Sequence, residues 1–231
     1  MHFKFILTTT LCASIITFAQ AQEQPTFGIE LDGFSSSVGH ISQTNSGIGF
    51  SSSDYKQQAR LGFGATLLAN IPIYERIGLE TGLGVTNFRA EFSFDAENTL
   101  DIKLNYIKLP IFAAYKLPIN SSKSAVHFAI GANIKYLYRS EDNFESLIWV
   151  HIGGQSGIDR YNRLTVAPQV NIGYSYEMSD GKTIRIDALA GFDASRFINK
   201  NNEIGQYGFY GNLATAKFSY IGVSLKYYFG F

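Results

Sequence analysis

The sequence ends with Lys217-Phe-Ser-Tyr-Ile-Gly-Val-Ser-Leu-Lys-Tyr-Tyr-Phe-Gly-Phe231. Every second residue from Ile221 to Phe231 is apolar or aromatic, whereas the residues between them are mostly small or polar. Because side chains alternate between the two faces of a β-strand, this stretch predicts a strand with one apolar face. That pattern is typical of a transmembrane β-barrel, in which the apolar face contacts lipid and aromatic residues lie at the headgroup level.

Seven earlier segments alternate in the same way, and we interpret each of them as a strand. They are Phe27–Phe34, Arg60–Ile71, Arg76–Phe88, Ile102–Leu117, Ala125–Arg139, Arg163–Met178 and Thr183–Phe197. Proline has no N–H for the ladder, so the register near Pro110 and Pro168 stays open.

The connections between these segments alternate between long and short. The long polar connections are 40–58, 94–101, 140–162 and 199–212, and the short turns surround Pro72, Pro118 and Asp180-Gly181. An even strand number places both termini on the side of the short turns, as in outer-membrane barrels. The sequence therefore predicts an all-β fold: an eight-stranded antiparallel up-and-down transmembrane β-barrel.

The first residues have the features of an export signal. Lys4 precedes a mostly apolar run from Phe5 to Phe18, and Ala19-Gln20-Ala21 is a small-x-small cleavage site. We interpret residues 1–21 as a secretory signal peptide and 22–231 as the barrel domain. Cleavage would remove Cys12, the single cysteine, so we expect no disulfide. The predicted location is the outer membrane of a Gram-negative cell.

Charge excludes one class of partner and suggests what fills the barrel. The formal net charge is zero and no basic run occurs, so we expect no nucleic-acid partner. An eight-stranded barrel is just wide enough for side chains to fill its interior. The polar face of the predicted strands carries charges of both signs, which can pair as a lumen plug: Arg60, Glu80, Lys108, Lys135, Arg139, Glu177, Arg185 and Asp187.

Catalytic and metal sites are not indicated. The histidines outside the signal segment, His40, His127 and His151, show no nucleophile at a suggestive spacing, and no Gly-x-Ser-x-Gly elbow occurs. Metal-ligand spacing is absent as well. We therefore predict no enzyme, no cofactor and no metal, although small outer-membrane barrels include lipid-modifying enzymes and narrow pores, and both remain alternatives.

The longest connection contains an apolar cluster that is unusual for a segment facing water. Its candidate binding residues are Phe144, Leu147, Trp149 and His151. Such a cluster either contacts a partner, because loop tips on a rigid scaffold often carry binding residues, or packs over the barrel mouth. The corresponding function is a structural or loop-mediated binding role.

The fourth predicted strand, Asn105-Tyr-Ile-Lys-Leu-Pro-Ile-Phe-Ala-Ala-Tyr-Lys-Leu117, resembles the Tyr-x-x-hydrophobic-Pro strand of the PorT-like outer-membrane β-barrel family, a group of small porin-like barrels. The Gly-rich third strand and the last strand fit this family as well. The resemblance implies the architecture and no functional residues. Expected partners are outer-membrane lipid and lipopolysaccharide, the barrel-insertion machinery through the C-terminal strand, and an unidentified protein.

Overall fold

A computed structural model describes residues 24–39, 56–93, 99–119, 123–143, 158, 161–178, 180–196 and 217–229. Eight antiparallel strands each pair with the next, and the last pairs with the first to close a barrel. They are β1 Thr26–Gly39, β2 Lys56–Tyr74, β3 Ile77–Ser93, β4 Thr99–Ile119, β5 Ser124–Asp142, β6 Leu164–Glu177, β7 Thr183–Phe192 and β8 Lys217–Tyr228. The predicted fold class is confirmed. The proposed signal peptide lies outside the described residues.

The C-terminal strand closes the barrel. The ladder between β1 and β8 runs from Gly28 opposite Tyr228 to Gly39 opposite Lys217. Phe229 extends this seam by donating its backbone N–H to the carbonyl of Phe27 at 2.8 Å. Closure pairs the strand edges, which a lipid environment requires. In the part of the chain that the structure describes, no helix is long and apolar enough to span a membrane.

One end of the barrel, here called the turn end, carries the start of β1, the end of β8 and the three short turns. In the turn between β6 and β7, Gly181 has φ 77°, a left-handed conformation that favours glycine. Lys182 donates a hydrogen bond to the Asp180 carboxylate, which lowers the pKa of Asp180 below its ordinary value. The opposite end, with the four long connections, is called the loop end.

Strands β1 to β5 are longer than the sequence patterns predicted, and prolines within β2 and β4 are part of the reason, whereas β6 and β7 are shorter than predicted. Pro72 and Pro118, expected in turns, lie within β2 and β4 and stand opposite Gly78 and Ala125. The register that the sequence left open is regular, with Pro110 opposite Asn133 and Pro168 opposite Ala132. The strands β2 to β5 have 17 to 21 residues each, more than the 9–11 or so of one bilayer crossing.

The outward face of the barrel changes character along β3 and β4. Towards the turn end it is apolar, with Leu83 and Val85 on β3 and the alternate residues from Ile107 to Leu117 on β4. This belt continues around the other strands. Towards the loop end the outward residues become polar, as in 87–93 of β3 and 99–105 of β4. The belt has the height of a bilayer crossing, so these strands extend beyond the membrane.

Candidate functional site

The turn-end half of the lumen contains buried charges that contact one another across the barrel. Glu80 of β3 accepts hydrogen bonds from Arg185 of β7 and, at 2.8 Å, from the Nζ of Lys226 on β8. Arg185 also donates its Nε–H to the Asp187 carboxylate at 2.6 Å. These residues are at most 2% exposed. Because β3, which carries Glu80, is a neighbour of neither β7 nor β8, the contacts connect opposite walls.

A second group of charges continues this network towards the loop end. Lys108 of β4 donates to the Asp32 carboxylate of β1 and lies 3.8 Å from the Glu30 carboxylate. Glu30 is also 3.8 Å from the Nζ of Lys226, so it links the two groups. Charges removed from water are tolerated when they are paired in this way.

Two glycines provide the space that the buried carboxylates occupy. A Cβ added at Gly173 would overlap the carboxylate of Asp187, and one added at Gly64 would overlap that of Asp32. Small residues on the lumen face therefore let charged side chains lie against the backbone of the neighbouring strand.

An amide layer and an ion pair follow at mid-height. Gln169 accepts hydrogen bonds from Asn133 at 2.7 Å and from the Tyr220 hydroxyl at 2.9 Å. Its own amide donates to Asn171 at 2.7 Å. Nearby, Lys135 donates to Asp193 at 2.5 Å, and both side chains are almost fully buried.

Aromatic rings fill the loop-end half of the lumen. The Phe88 ring centroid lies 4.8 Å from that of Phe34, 5.3 Å from Tyr220 and 5.4 Å from Phe218. The ammonium group of Lys135 is 3.8 Å from the Phe88 centroid, which is within cation–π distance. Lys135 therefore joins the two halves, with a carboxylate and aromatic faces as its partners.

Beyond these rings the interior is mainly apolar. Residues from β3, β4 and β5 form one buried cluster with Ile158 and Tyr161 of the long connection, including Phe92, Leu100, Ile102, Leu104 and Leu137. The Tyr161 hydroxyl donates to the Asp142 carboxylate at 2.8 Å. The central cavity near Asp32 and Lys108 has a volume of about 20 Å³, enough for about one water molecule. The lumen among the described residues is therefore filled with side chains.

Two residues predicted for the lumen plug lie elsewhere. The ladder between β4 and β5 shifts by one residue at this point. Asn105 is opposite Arg139, whereas the next residue, Tyr106, is opposite Leu137. The extra residue on β5 reverses the facing of the side chains that follow. Arg139 is therefore on the outward face, where its side chain is 67% exposed and lies 2.9 Å from Glu141.

Arg60 is displaced for the same reason. The β2–β3 ladder shifts between Ala59 and Gly64, with one more residue on β2 than on β3. The Arg60 side chain is exposed and forms an ion pair with Glu91, which lies on the outward face of β3 between two buried residues. Single-residue bulges thus remove both arginines from the plug.

The remaining residues predicted for the lumen plug lie in the lumen or at its turn end. Glu80, Lys108, Lys135, Arg185 and Asp187 are buried in the lumen. Glu177 is half-buried at the last position of β6, and among the described residues its carboxylate forms no ion pair. The candidate binding residues Phe144, Leu147, Trp149 and His151 lie outside the described residues.

The structure brings together one pair that spacing along the sequence did not indicate. The Nε2 of His127 on β5 is 2.7 Å from the Oγ of Ser175 on β6, a contact between residues 48 positions apart. Ser175 is 3% exposed, and the pair lies at the turn end. The strand register, with His127 opposite Gly173, is the signal that could have revealed it. No group of three or more metal-ligating side chains occurs in the described ranges.

Comparisons with known proteins give several similar structures and one matching family model. Among solved structures, the chain is similar to Neisserial surface protein A (12% identity, TM-score 0.47, covering 88% of this chain and 98% of that chain). It is also similar to OprG of Pseudomonas aeruginosa (9%, 0.47, 87% and 93%) and to Ail of Yersinia pestis (12%, 0.40, 90% and 100%). A search of curated proteins finds no significant match. A family model described as outer membrane protein beta-barrel domain matches residues 18–231, so the chain belongs to this family of outer-membrane barrels.

Proposed function

We propose that this outer-membrane barrel does not conduct solutes and that its role is structural or is to bind a partner at the loop end. One observation carries the proposal: charged, amide and aromatic side chains fill the lumen from the turn end to the loop end. The Glu80 contacts join opposite walls, and the Phe88 cluster closes the section beyond them. A pore would need these contacts to separate.

Conductance measurements in planar bilayers test the closed lumen. We expect no stepwise current from the purified barrel under conditions in which an open porin gives clear steps. Phe88→Ala, which shortens the central ring of the aromatic layer, serves as the diagnostic variant. Steps from the parent protein that change in size in Phe88→Ala would contradict the proposal, because they would show current through this lumen.

The binding role is supported by the apolar composition of residues 144–152 and by strands that continue beyond the apolar belt. Deletion of residues 145–157 should abolish capture of a protein partner from membranes while the barrel stays folded and heat-modifiable on gels. Deletion of 201–213, which removes the same length from another long connection, is the matched control. Equal capture by the parent and the first deletion variant would oppose a role for this segment.

The proposal also assigns no catalysis. The His127–Ser175 contact has the composition of a base and a nucleophile, but burial of Ser175 leaves little access for an ester carbonyl to its hydroxyl. Release of fatty acid from lipid A that is lost in both His127→Ala and Ser175→Ala would support the enzyme alternative. Equal lipid profiles with and without the protein are the expected result.

We also infer a relation to the PorT-like branch of small barrels and export through cleavage after Ala21. The first inference rests on the Tyr106–Tyr115 segment with Pro110 at its centre, and the second on the Ala19-Gln20-Ala21 site. N-terminal sequencing of protein isolated from membranes tests the cleavage position, which should leave Gln22 as the first residue.

A further inference from the structure

The outward face of β3, β4 and β5 carries three cations just beyond the apolar belt. The last belt row is Val85, Ile107 and Tyr136, which stand opposite one another on the three strands. In the next row Asn105 is opposite Arg139, and in the row after that Arg89 is opposite Lys103. Arg89, Lys103 and Arg139, called the rim cations below, therefore lie at the level of lipid headgroups.

Among the described residues, the three rim cations have one carboxylate, Glu141, within ion-pair distance. Glu141 is shared: its oxygens lie 3.2 Å from Lys103 and 2.9 Å from Arg139. Among the described residues, no carboxylate forms an ion pair with Arg89. Like charges directly opposite each other on paired strands destabilise a sheet, so the Arg89–Lys103 pair has a cost that an anion would remove.

The nearest other carboxylates do not correct this imbalance. Glu91 is one row further from the belt and is bound to Arg60. Asp101 stands directly opposite Glu91, again a pair of like charges, in that same row. On the outward face, three cations with one shared carboxylate thus lie next to the belt, and the acidic row lies one row further out.

We propose that the rim cations bind the phosphorylated headgroup of an outer-leaflet lipid, lipid A, whose acyl chains lie along the belt below Val85 and Ile107. Arginine presents a planar fork of donors that matches phosphate oxygens, and two of the rim cations are arginines. Depth and charge both favour this occupant: the cations begin where the apolar surface ends, and a phosphate between Arg89 and Lys103 neutralises opposed like charges. This site is independent of the proposed partner binding by the long connections.

The test compares two triple variants of the full barrel in detergent. Arg89→Gln/Lys103→Gln/Arg139→Gln removes the rim cations. Arg76→Gln/Lys116→Gln/Lys182→Gln removes three cations at the turn end and changes the net charge equally. The probes are bisphosphorylated lipid A and its dephosphorylated form, with bound lipid counted by native mass spectrometry. Heat-modifiable migration checks that each variant is folded.

Each cation near an anionic headgroup raises the affinity about fivefold. Because the rim variant lacks three cations, it should bind bisphosphorylated lipid A on the order of 100-fold more weakly than the parent. The turn-end variant should bind like the parent, and dephosphorylated lipid A should bind all three proteins equally weakly. Equal affinity of the parent and the rim variant would overturn the proposal. So would an equal loss in the turn-end variant, or equal binding of the two lipid A forms by the parent.

Discussion

The two halves of the lumen are lined by opposite kinds of side chain, although the same strands form both halves. In the turn-end half, β3 and β4 place Glu80 and Lys108 inside and apolar side chains outside. In the loop-end half, the same strands place Phe88 and Leu104 inside and polar side chains outside. The register between β3 and β4 does not shift from one half to the other. The change therefore lies in the sequence and not in the strand geometry.

What surrounds the wall explains the difference. Lipid outside the turn-end half allows apolar side chains to face outward, and the inward charges must then satisfy one another, since little water reaches them. Water outside the loop-end half reverses this arrangement, and the interior becomes an apolar core like that of a soluble barrel. The position of the bilayer can thus be read from the residue at which the apolar phase changes sides, between Val85 and Phe88 on β3.

The turn-end half should be the more sensitive to the loss of one charge. Glu80→Gln keeps the side-chain volume but leaves Arg185 and Lys226 to share the Asp187 carboxylate, which should lower the free energy of unfolding by about 3–5 kcal/mol. Glu91→Gln is the matched control, because it breaks the exposed pair with Arg60 and should cost only about 0–1 kcal/mol. Urea titration of the barrel in lipid vesicles measures both values. Similar losses in the two variants would show that the lumen charges are solvated.

The loop-end half should be less sensitive to a change that keeps an apolar side chain. Phe88→Leu removes the ring that Lys135 contacts, together with its ring–ring contacts, and retains much of the volume, so we expect a loss of about 2 kcal/mol. Phe63→Leu, on the lipid-facing side of β2, is the control and should change the stability by less than half as much. A loss in Phe63→Leu that matches the loss in Phe88→Leu would mean that the aromatic layer adds nothing specific. The same urea titration applies.

Alternation in the sequence predicted the eight strands and five of the eight residues proposed for the charged plug, because a period of two depends only on strand geometry and on the lipid outside. It did not predict the apolar interior of the loop end, because the prediction assumed that one face of each strand is apolar along its whole length. Leu100, Ile102 and Leu104 on β4 show why this fails: they continue the phase of Lys108, and only the outward Asp101, Lys103 and Asn105 indicate that water has replaced lipid.

The sequence pattern also did not predict the two β-bulges. Arg60 and Arg139 have the correct parity for the lumen, and one added residue on β2 and one on β5 turn them outward. Contacts between distant strands were equally hidden, because the His127–Ser175 pair and the Glu80–Lys226 pair depend on register and barrel closure. Parity along one strand carries no information on either.

The smallest expected change in stability concerns Tyr220, which lies at the boundary between the two halves of the lumen. Tyr220 belongs to the aromatic layer by its ring and to the amide layer by its hydroxyl, which donates to Gln169. Tyr220→Phe removes this hydrogen bond, and Gln169 still accepts one from Asn133, so the cost should be about 1 kcal/mol. Tyr174→Phe removes an exposed bond to Ser124 and should be nearly neutral. Stability differences from urea titration that do not separate these variants would indicate that water satisfies Gln169. A cost well above 1 kcal/mol would instead mean that the amide layer acts as one cooperative network, so that the two halves are coupled through it.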